Sequence, residues 1–304
     1  MKILIAGGAG FIGNHISKLL LDQGHEVLIF DNLSRSDTKY LSPKALFIKG
    51  DINDNNLLEK CLKGIDWVIH LAQFLDVEES VQAPQLYLQN NVLGTFNLLE
   101  CMKKAGVGKI VFSSSACVYG NPRKLPLLEN VVLAPANPYG ACKVAVEALL
   151  SSFHSQQGFD VVILRYFNPF GPMENHIPET HVIPKFIKAA LLKKPMPLYW
   201  KGKQVRDFIY IEDLARAHTD VFELKGYQVF NIGTEKGVKI ADIVKILSDI
   251  LGYKLEVDDL GQRAGDVMAN YASSAKFKKA TGWKPRYTLK EGLAKTIDWF
   301  KENS

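Results

Sequence analysis

The apolar residues in the first half of the chain form short, nearly continuous runs that alternate with longer helical patterns. Such runs are typical of parallel strands covered on both faces. They predict strands from Lys2 to Ala6, Glu26 to Phe30, Ala45 to Lys49, Trp67 to Leu71, Lys109 to Phe112 and Val161 to Arg165. Helical patterns lie between them, notably from Gln85 to Lys104 and from Tyr139 to Gln157. Repeated strand–helix–strand units with right-handed crossovers predict an α/β fold with a Rossmann-like, doubly wound parallel sheet.

The pattern changes after Arg165, where prolines become frequent and the alternation of strands and helices stops. We expect a smaller mixed α/β region there, with a last helix from about Leu289 to Lys301. The predicted division is a Rossmann domain at residues 1–167 and a second, ligand-binding region at residues 168–304. Some of the later segments, such as 206–232, are expected to pack back on the first domain.

A glycine-rich turn follows the first predicted strand and opens a helix. Gly7, Gly10 and Gly13 are three residues apart, which lets a pyrophosphate approach the backbone at a helix N-terminus. Asp31 ends the second strand, where a carboxylate accepts hydrogen bonds from a ribose and repels a 2′-phosphate. The pattern therefore predicts a dinucleotide site that favours NAD over NADP. Asp51, after the third strand, is expected to meet the adenine.

Tyr139 and Lys143 are four residues apart at the start of a predicted helix, so both project from one face. A phenol acts as a base near neutral pH only if its pKa falls well below ~10. A neighbouring ammonium and a positive nicotinamide ring would lower it. Ser113, Ser114 and Ser115 follow the fifth strand, at the edge where α/β sheets bind ligands. A serine there can orient a substrate alcohol and share its proton with the tyrosine.

Composition and charge exclude several classes of protein. The chain has 304 residues, 47% of them hydrophobic, which suits a protein with a sizeable core. The net charge of +5 is spread without a basic run, which argues against nucleic acid and for an anionic small molecule. No stretch approaches the roughly 18 to 20 apolar residues of a membrane span, and the apolar start is too short for a secretory signal. Four cysteines without a CxxC pair favour a reducing cytoplasm, and no metal site is expected.

The motifs occur in one order along nearly the whole chain. They are Gly7-x-x-Gly10-x-x-Gly13, Asp31, Asp51-Ile52, His70-Leu71-Ala72, Asn90-Asn91-Val92, Ser113-Ser114-Ser115-Ala116-Cys117-Val118-Tyr119-Gly120 and Tyr139-x-x-x-Lys143. On these motifs the sequence resembles the extended short-chain dehydrogenase/reductases and, within them, the UDP-glucose 4-epimerases.

The resemblance implies a role for each matching residue. The implied catalytic residues are Ser115, Tyr139 and Lys143. The implied NAD-binding residues are Gly7, Gly10, Phe11, Ile12, Gly13, Asp31, Asn32, Asp51, Ile52, Leu71, Ala72, Asn90, Ser113, Tyr139, Lys143 and Tyr166. The implied UDP-sugar-binding residues are Ser115, Asn168, Arg206, Arg263, Asp266 and Asn270. The family's lysine shortly after the His-x-Ala motif is absent, and Leu75 stands near its position.

The reaction implied by the resemblance is NAD-dependent epimerisation at C4 of a UDP-hexose, UDP-glucose or UDP-galactose, through a 4-keto intermediate. Nucleotide-sugar dehydratases need an Asp-Glu pair, and uronate decarboxylases a glutamate, where this chain has Ala116-Cys117. Both reactions are therefore disfavoured. A UDP-uronate 4-epimerase or another nucleotide-sugar oxidoreductase of the family stays open, as does, more remotely, a non-catalytic NAD-binding regulator.

Two further expectations concern substrate size and assembly. In strict glucose/galactose epimerases a bulky tyrosine stands at the position that Asn270 matches and closes off the sugar 2-position. The resemblance therefore makes UDP-N-acetylhexosamines candidate substrates too, and the alternative is that neighbouring Tyr271 takes the place of that tyrosine. In the family, the helices that correspond to those beginning near Gln85 and Tyr139 pair across subunits. A homodimer joined by a four-helix bundle is therefore expected.

Overall fold

The computed structural model describes residues 1–122, 124–174, 181–262 and 267–303. Its strands are β1 (Lys2–Ala6), β2 (Glu26–Asp31), β3 (Leu46–Lys49), β4 (Trp67–His70), β5 (Lys109–Ser115), β6 (Asp160–Tyr166), β7 (Asn168–Phe170), β8 (Met196–Leu198), β9 (Val205–Arg206), β10 (Phe208–Tyr210), β11 (Tyr227–Ile232), β12 (Val238–Lys239), β13 (Val257–Asp259) and β14 (Ala269–Asn270). Its α-helices are α1 (Phe11–Asp22), α2 (Asn55–Cys61), α3 (Val77–Gln82), α4 (Pro84–Tyr87), α5 (Gly94–Ala105), α6 (Pro138–Gln157), α7 (Val182–Leu191), α8 (Ile211–Thr219), α9 (Ile240–Leu251), α10 (Ala275–Thr281) and α11 (Leu289–Asn303).

Among the described residues, seven strands form one parallel sheet in the order β3-β2-β1-β4-β5-β6-β11. β1 pairs with β2 on one side and with β4 on the other. The chain thus builds the sheet from β1 towards one edge and then, from β4 onwards, towards the other. This reversal is the topological switch point, outside which α/β sheets bind their ligands. The predicted Rossmann-like α/β fold is confirmed.

The sheet is rigid because its central strands are buried on both faces. All four residues of β4 are buried, and so are the last four of β1. On one face, Phe30 and Phe112 pack in a core with Leu98 of α5 and Leu150 of α6. Each such side chain contributes about 1.5–3 kcal/mol when fully buried. The carboxyl ends of the strands are therefore held in fixed positions.

Two elements differ in detail from the sequence-based prediction. β5 continues beyond Phe112 because its last residues keep their pairing with β6, as far as Ser115 opposite Tyr166. The three serines are thus the end of the strand itself. The predicted helix from Gln85 to Lys104 is interrupted by a π-helical segment at Leu88–Leu93. Such wide turns often occur at functional sites.

The chain forms two compact units. The first comprises Met1–Asn121, Glu129–Tyr166 and Ala215–Phe230, and the second comprises Pro122–Leu128, Phe167–Leu214 and Asn231–Ser304. Within the second unit, small sheets form from β7 with β10, from β9 with β12 and β14, and from β8 with β13. The division of function at residue 167 stays a prediction. None of the helices in the described ranges is both long and apolar enough to cross a membrane.

Candidate active site

The turn after β1 packs so closely that two of its three spaced glycines have no room for a side chain. Gly7 has a φ of +78°, and a Cβ there would lie 2.5 Å from the backbone nitrogen of Ala72. A Cβ at Gly13 would lie 2.6 Å from the Cα atom of Gly8. At Gly10, the nearest atom would be the Gly7 carbonyl oxygen at 3.6 Å, an ordinary contact. The protein itself therefore leaves room at Gly10 and none at the other two.

The first turn of α1 follows directly, and its backbone N–H groups can bind an anion. It contains the implied cofactor-binding residues Phe11, Ile12 and Gly13, and it has neither a side-chain cap nor an acidic residue. The side-chain amide of Asn14 donates to the Ala9 carbonyl oxygen at 2.9 Å, which holds the path of the turn. The helix dipole and the amides of such a turn favour a bound phosphate.

Asp31 connects the glycine turn to the loop after β2. One carboxylate oxygen accepts the Ala9 N–H at 3.0 Å, and the other accepts the Leu33 N–H at 2.8 Å and the Ser36 hydroxyl at 3.0 Å. A carboxylate has about four acceptor positions. Asp31 therefore holds the surrounding backbone in place and keeps capacity for a further donor.

Asp51 and its neighbours join the loops after β2 and β3. Its carboxylate accepts the side-chain amide of Asn32 at 2.7 Å, and the backbone and side-chain amides of Asn53 at 2.9 and 2.8 Å. Burial alone would raise the pKa of Asp51, but these hydrogen bonds hold the pKa below its ordinary value. The adjacent Ile52 is buried, and a Cβ on Gly94 would lie 2.6 Å from its Cδ1 atom.

The segment after β4 is tied to the π-helical segment. Leu71 continues the pairing of β4 with β1, and Ala72 follows it against the glycine turn. The Asn90 amide donates to the Ala72 carbonyl oxygen at 3.4 Å. The Asn91 side chain bonds to both the N–H and the carbonyl oxygen of Phe74, at 2.8 and 2.9 Å. The implied residues Leu71, Ala72 and Asn90 thus lie together, beside the implied glycine turn.

The start of α6 brings Tyr139 and Lys143 to the end of β5. The helix begins there because the Asn137 side chain caps it and a proline occupies its first turn. The Lys143 ammonium donates to the Ser113 carbonyl oxygen at 2.6 Å. The Tyr139 hydroxyl shares a hydrogen bond with Ser115. The structure therefore brings the three implied catalytic residues together.

Burial shifts the pKa values of Lys143 and Tyr139 in opposite directions. It lowers the pKa of Lys143 to about 7, although the charges of Cys117 and Glu147 act against this shift. Burial also raises the pKa of Tyr139, and the charge of Cys117 adds to it, while the Ser115 hydrogen bond acts against both. The lowering expected from Lys143 is not found in the protein alone: desolvation of the phenolate is the largest effect on the pKa of Tyr139, and Lys143 is not among the groups that lower it. A bound nicotinamide ring, which is positively charged, would lower the tyrosine pKa.

Tyr166 lies behind the lysine, at the end of β6. Its hydroxyl hydrogen-bonds with Ser113 and with Nε2 of His218, both within the first unit. Burial raises the pKa of Tyr166, so this hydroxyl stays protonated. The contact joins the ends of β5 and β6 beside the carbonyl group that holds Lys143.

In the second unit, three implied UDP-sugar residues lie on neighbouring strands. Arg206 of β9 pairs with Asn270 of β14, and Asn168 of β7 pairs with Phe208 of β10. The Asn168 amide donates to the Asp207 carbonyl oxygen at 2.8 Å. The amide oxygen of Asn270 is buried and has no hydrogen-bond partner among the described residues. The two other implied residues, outside the described part of the chain, are Arg263 and Asp266.

Comparison with known proteins identifies the family. The model of the NAD dependent epimerase/dehydratase family matches residues 3–233. The chain belongs to this family. It is 36% identical to the UDP-glucose 4-epimerase of Lactobacillus helveticus, with 100% of this chain and 98% of that protein covered. The predicted resemblance is therefore confirmed.

Solved structures of family members share the whole fold. The UDP-glucose 4-epimerase of Thermotoga maritima, solved with UDP-glucose, has a TM-score of 0.95 and 35% identity, over 100% of this chain and 99% of that one. The UDP-N-acetylglucosamine 4-epimerase of Methanobrevibacter ruminantium M1, in complex with UDP-N-acetylmuramic acid, has a TM-score of 0.94 and 38% identity over the same shares.

The residues around the glycine turn fit the NAD that gives the family its name. Gly10 leaves a space that a Cβ would enter, beside a helix N-terminus without an acidic residue. Asp31 keeps acceptor capacity at the end of β2. A pyrophosphate and a ribose are the groups that suit these two features.

Glu147 is a buried residue of the site that sequence reasoning missed. Its carboxylate accepts two hydrogen bonds from the Arg165 guanidinium, at 3.0 and 2.6 Å, and one from the Ser114 hydroxyl at 2.5 Å. Arg165 also donates to the Tyr119 hydroxyl at 2.8 Å. The available signal was a lone carboxylate in an apolar helix, four residues after Lys143. The cluster fixes α6 against β5 and β6, and so fixes the helix that carries the catalytic pair.

Asp207, in the Arg-Asp-Phe segment, has a structural role in the second unit. Its fully buried carboxylate accepts the N–H groups of Thr234, Glu235 and Ala272. Burial raises its pKa, and these hydrogen bonds act against that shift. The Asp207 carboxylate thus holds backbone N–H groups in place, and the neighbouring Arg206 remains the candidate for ligand binding.

Proposed function

We propose that the protein is an NAD-dependent UDP-hexose 4-epimerase that interconverts UDP-glucose and UDP-galactose. The observation that carries this proposal is the hydrogen bond between Tyr139 and Ser115, with the buried Lys143 on the same face of α6. Two hydroxyls and an amine at the ligand-binding edge of the sheet can move a proton to and from a sugar hydroxyl. Full-length relatives named UDP-glucose 4-epimerases support the same reaction.

NAD, when bound, supplies the redox chemistry by accepting a hydride and returning it, so that the overall reaction is redox-neutral. Tyr139 removes the proton of the sugar 4-hydroxyl, and Ser115 orients that hydroxyl. Lys143, held by the Ser113 carbonyl oxygen, stabilises the phenolate whenever it is protonated. Tyr139 later returns the proton to the oxygen of the 4-keto sugar, which by then presents its opposite face.

We propose that residues of the second unit bind the UDP-sugar. Asn168 has a second amide hydrogen beyond the one that it donates to Asp207. Arg206 carries a guanidinium, which binds phosphate oxygens bidentately. Arg263 and Asp266 are proposed for the same task on the resemblance alone. The net charge of +5 suits an anionic substrate.

The residues after β5 favour epimerisation over elimination of water. Ala116 and Cys117 begin a 3₁₀ segment directly after Ser115. An elimination needs an acid and a base at these positions, and neither side chain supplies the pair. The intact set of Ser115, Tyr139 and Lys143 also speaks for turnover and against a non-catalytic regulator.

A specific observation favours N-acetylated substrates as a second candidate. Asn270, small and polar, carries a buried amide oxygen without a partner among the described residues. Such an oxygen can accept a hydrogen bond from the N–H of an acetamido group. The structural relative from Methanobrevibacter ruminantium M1 is named a UDP-N-acetylglucosamine 4-epimerase.

One experiment tests both substrates. The purified protein is given UDP-glucose, UDP-N-acetylglucosamine and UDP-glucuronate in separate reactions, and the products are separated and identified. We expect epimers of the first two. The Asn270→Tyr variant should lose the acetylated reaction and keep the UDP-glucose reaction, whereas the Asn270→Ser control should keep both. Turnover of UDP-glucuronate alone would identify a uronate epimerase, and equal losses on both hexoses in Asn270→Tyr would contradict the role of Asn270.

We also propose a homodimer that buries an apolar helical surface. Leu86, Leu88, Leu93 and Phe96 are between 41% and 51% exposed along the run from α4 to α5. A four-helix bundle made with α6 of both subunits would cover such side chains. Sedimentation velocity should find a dimer for the wild type and a monomer for Phe96→Glu. The control Val257→Glu, equally exposed in the second unit, should stay dimeric.

We propose that the protein is located in the cytoplasm, on the basis of its cysteines. None of the four cysteines, which all lie in the described part of the chain, forms a disulfide, and Cys61, Cys101 and Cys142 are buried. Cysteines kept as thiols suit a reducing compartment.

A further inference from the structure

An ion pair joins two segments that are far apart in the sequence. Arg35, in the loop after β2, places its guanidinium 2.5 Å from a carboxylate oxygen of Glu79 in α3. The same guanidinium lies 4.7 Å above the centre of the Phe74 ring. The other oxygen of Glu79 accepts the Tyr87 hydroxyl at 2.9 Å. We call these four side chains the clasp.

The sheet order determines what the clasp spans. The loop with Arg35 follows β2, whereas Phe74 and Glu79 follow β4. β1 lies between β2 and β4, and the glycine turn leaves its carboxyl end. The clasp therefore links the two segments that flank the turn on either side. A dinucleotide whose pyrophosphate lies at the turn has one half on each side of the switch point.

Both ends of the clasp are anchored. The loop is fixed by Asp31, which accepts the Leu33 N–H and the Ser36 hydroxyl on either side of Arg35. On the other side, the N–H of Glu79 donates to the capping side chain of Asp76 at 2.7 Å. The hydrogen bond from Arg35 is the main reason why the pKa of Glu79 lies below its ordinary value. The pair is thus fully charged near neutral pH and held from both sides.

We propose that the Arg35–Glu79 pair acts as a clasp across the dinucleotide groove and slows the release of bound NAD. This inference rests on the NAD site proposed above. Release requires the two flanking segments to separate, and in this chain separation breaks an ion pair and a cation–π contact together. Arg35 also places a positive charge over Phe74, and Leu75, the next residue in the chain, stands near the position of the family's absent lysine. The clasp residues hold the cofactor and take no part in the proton transfers.

The test measures exchange of the cofactor. Purified holoprotein is mixed with an excess of ¹⁴C-labelled NAD, and the label bound after rapid gel filtration is followed over time. Arg35→Met and Glu79→Gln keep the length of each side chain and remove its charge. Arg35→Met removes both the exposed ion pair and the cation–π contact, which together predict exchange about fivefold to twentyfold faster. Glu79→Gln removes the ion pair alone, which predicts exchange about twofold to fivefold faster. The double variant should exchange no faster than the faster single variant, because the second change removes nothing more.

Two controls separate the clasp from a general effect of surface charge. The Lys104–Glu59 ion pair, also exposed and in the first unit, joins α5 to α2 at 2.8 Å. Lys104→Met should therefore exchange at the wild-type rate. The charge-swapped variant Arg35→Glu/Glu79→Arg should regain part of the slow exchange, because it restores the ion pair but neither the contact with Phe74 nor the hydrogen bond from Tyr87.

The outcomes decide between clear alternatives. Exchange at the wild-type rate in both single variants, additive effects in the double variant, or equal acceleration by Lys104→Met would each overturn the clasp. Wild-type protein that releases no NAD(H) on denaturation and also takes up no labelled NAD would overturn the proposed cofactor site instead. The readout is independent of which sugar is epimerised.

Discussion

Gly10 and Gly13 allow the cofactor site to be tested separately from the fold. A methyl group on Gly10 meets only the Gly7 carbonyl oxygen at 3.6 Å, and the backbone there has a φ of −76°, which alanine adopts freely. Alanine is a poorer N-cap than glycine by about 0.5–1 kcal/mol, but it restricts the unfolded chain by a similar amount. Gly10→Ala should therefore change the free energy of unfolding of the cofactor-free protein by less than about 1 kcal/mol.

The same methyl group would occupy the space through which a pyrophosphate approaches the backbone. Forcing one extra methyl into a filled space costs about 1–3 kcal/mol. For Gly10→Ala this loss falls on binding alone, so the Kd for NAD should rise about tenfold to a hundredfold. The unfolding midpoint without NAD should stay close to that of the wild type.

Gly13→Ala is the matched control, because its methyl group would lie 2.6 Å from the Cα atom and the carbonyl oxygen of Gly8. Both contacts are with backbone, which cannot turn away. The cost of overpacking, about 1–3 kcal/mol or more, exceeds the gain of about 1 kcal/mol from helix propensity. This variant should melt several degrees lower even without NAD.

Two measurements check the pair of variants: thermal unfolding of cofactor-free protein and NAD binding by calorimetry. The reasoning is refuted if Gly10→Ala binds NAD as tightly as the wild type. It is also refuted if Gly10→Ala destabilises the cofactor-free protein as much as Gly13→Ala does.

Three further predictions concern the base, the cofactor and a buried histidine. Tyr139→Phe should keep NAD but lower turnover by about two or more orders of magnitude, and near wild-type turnover would contradict its role as base. Asp31→Asn keeps much of the local hydrogen bonding and removes the charge. The preference for NAD over NADP, measured as the ratio of their Kd values, should therefore fall by about tenfold or more. An unchanged preference would exclude Asp31 as its source. Burial first, and then the charge of Lys143, lower the pKa of His70 from 6.5 to about 3. Because the unfolded chain binds this proton below pH 6.5 and the folded protein does not, acidification through this window should lower the free energy of unfolding by about 1.4 kcal/mol per pH unit. His70→Gln should reduce the difference in the free energy of unfolding between about pH 7 and about pH 5, measured with urea, by about 2 kcal/mol. An unchanged difference would show that His70 titrates normally.

Features that depend on local spacing were predictable from the sequence. The apolar runs identify the strands because a strand buried on both faces needs apolar residues at every position. The spacing of Gly7, Gly10 and Gly13 identifies the turn, and the four-residue spacing of Tyr139 and Lys143 places both on one face. The sequence could not show that the fold requires glycine at positions 7 and 13 but leaves space for a side chain at Gly10. That difference depends on distances to other elements.

Features that depend on distant pairs or on burial were not predictable. Arg35 and Glu79 are 44 residues apart, and no local pattern connects them. The resemblance assigned Arg206 to ligand binding, but nothing local indicated that the neighbouring Asp207 accepts three backbone N–H groups from other segments. The pKa of Tyr139 was expected to fall because the charge of Lys143 could be read from the spacing. Burial, which is the largest cause of the shift and raises this pKa, could not be inferred from the spacing.

The buried pair of Glu147 and Arg165 also restricts how this sequence can change over evolutionary time. Losing one partner would leave an unpaired charge in the core. This would lower the free energy of unfolding by about 3–5 kcal/mol, out of a total of about 5–15 kcal/mol. Replacing both partners by apolar residues of matching volume is tolerated far better. The two positions are therefore expected to covary among descendants of this protein: both charged or both apolar, and rarely mixed. A designer who transplants the catalytic helix α6 to another sheet would have to move Arg165 with it.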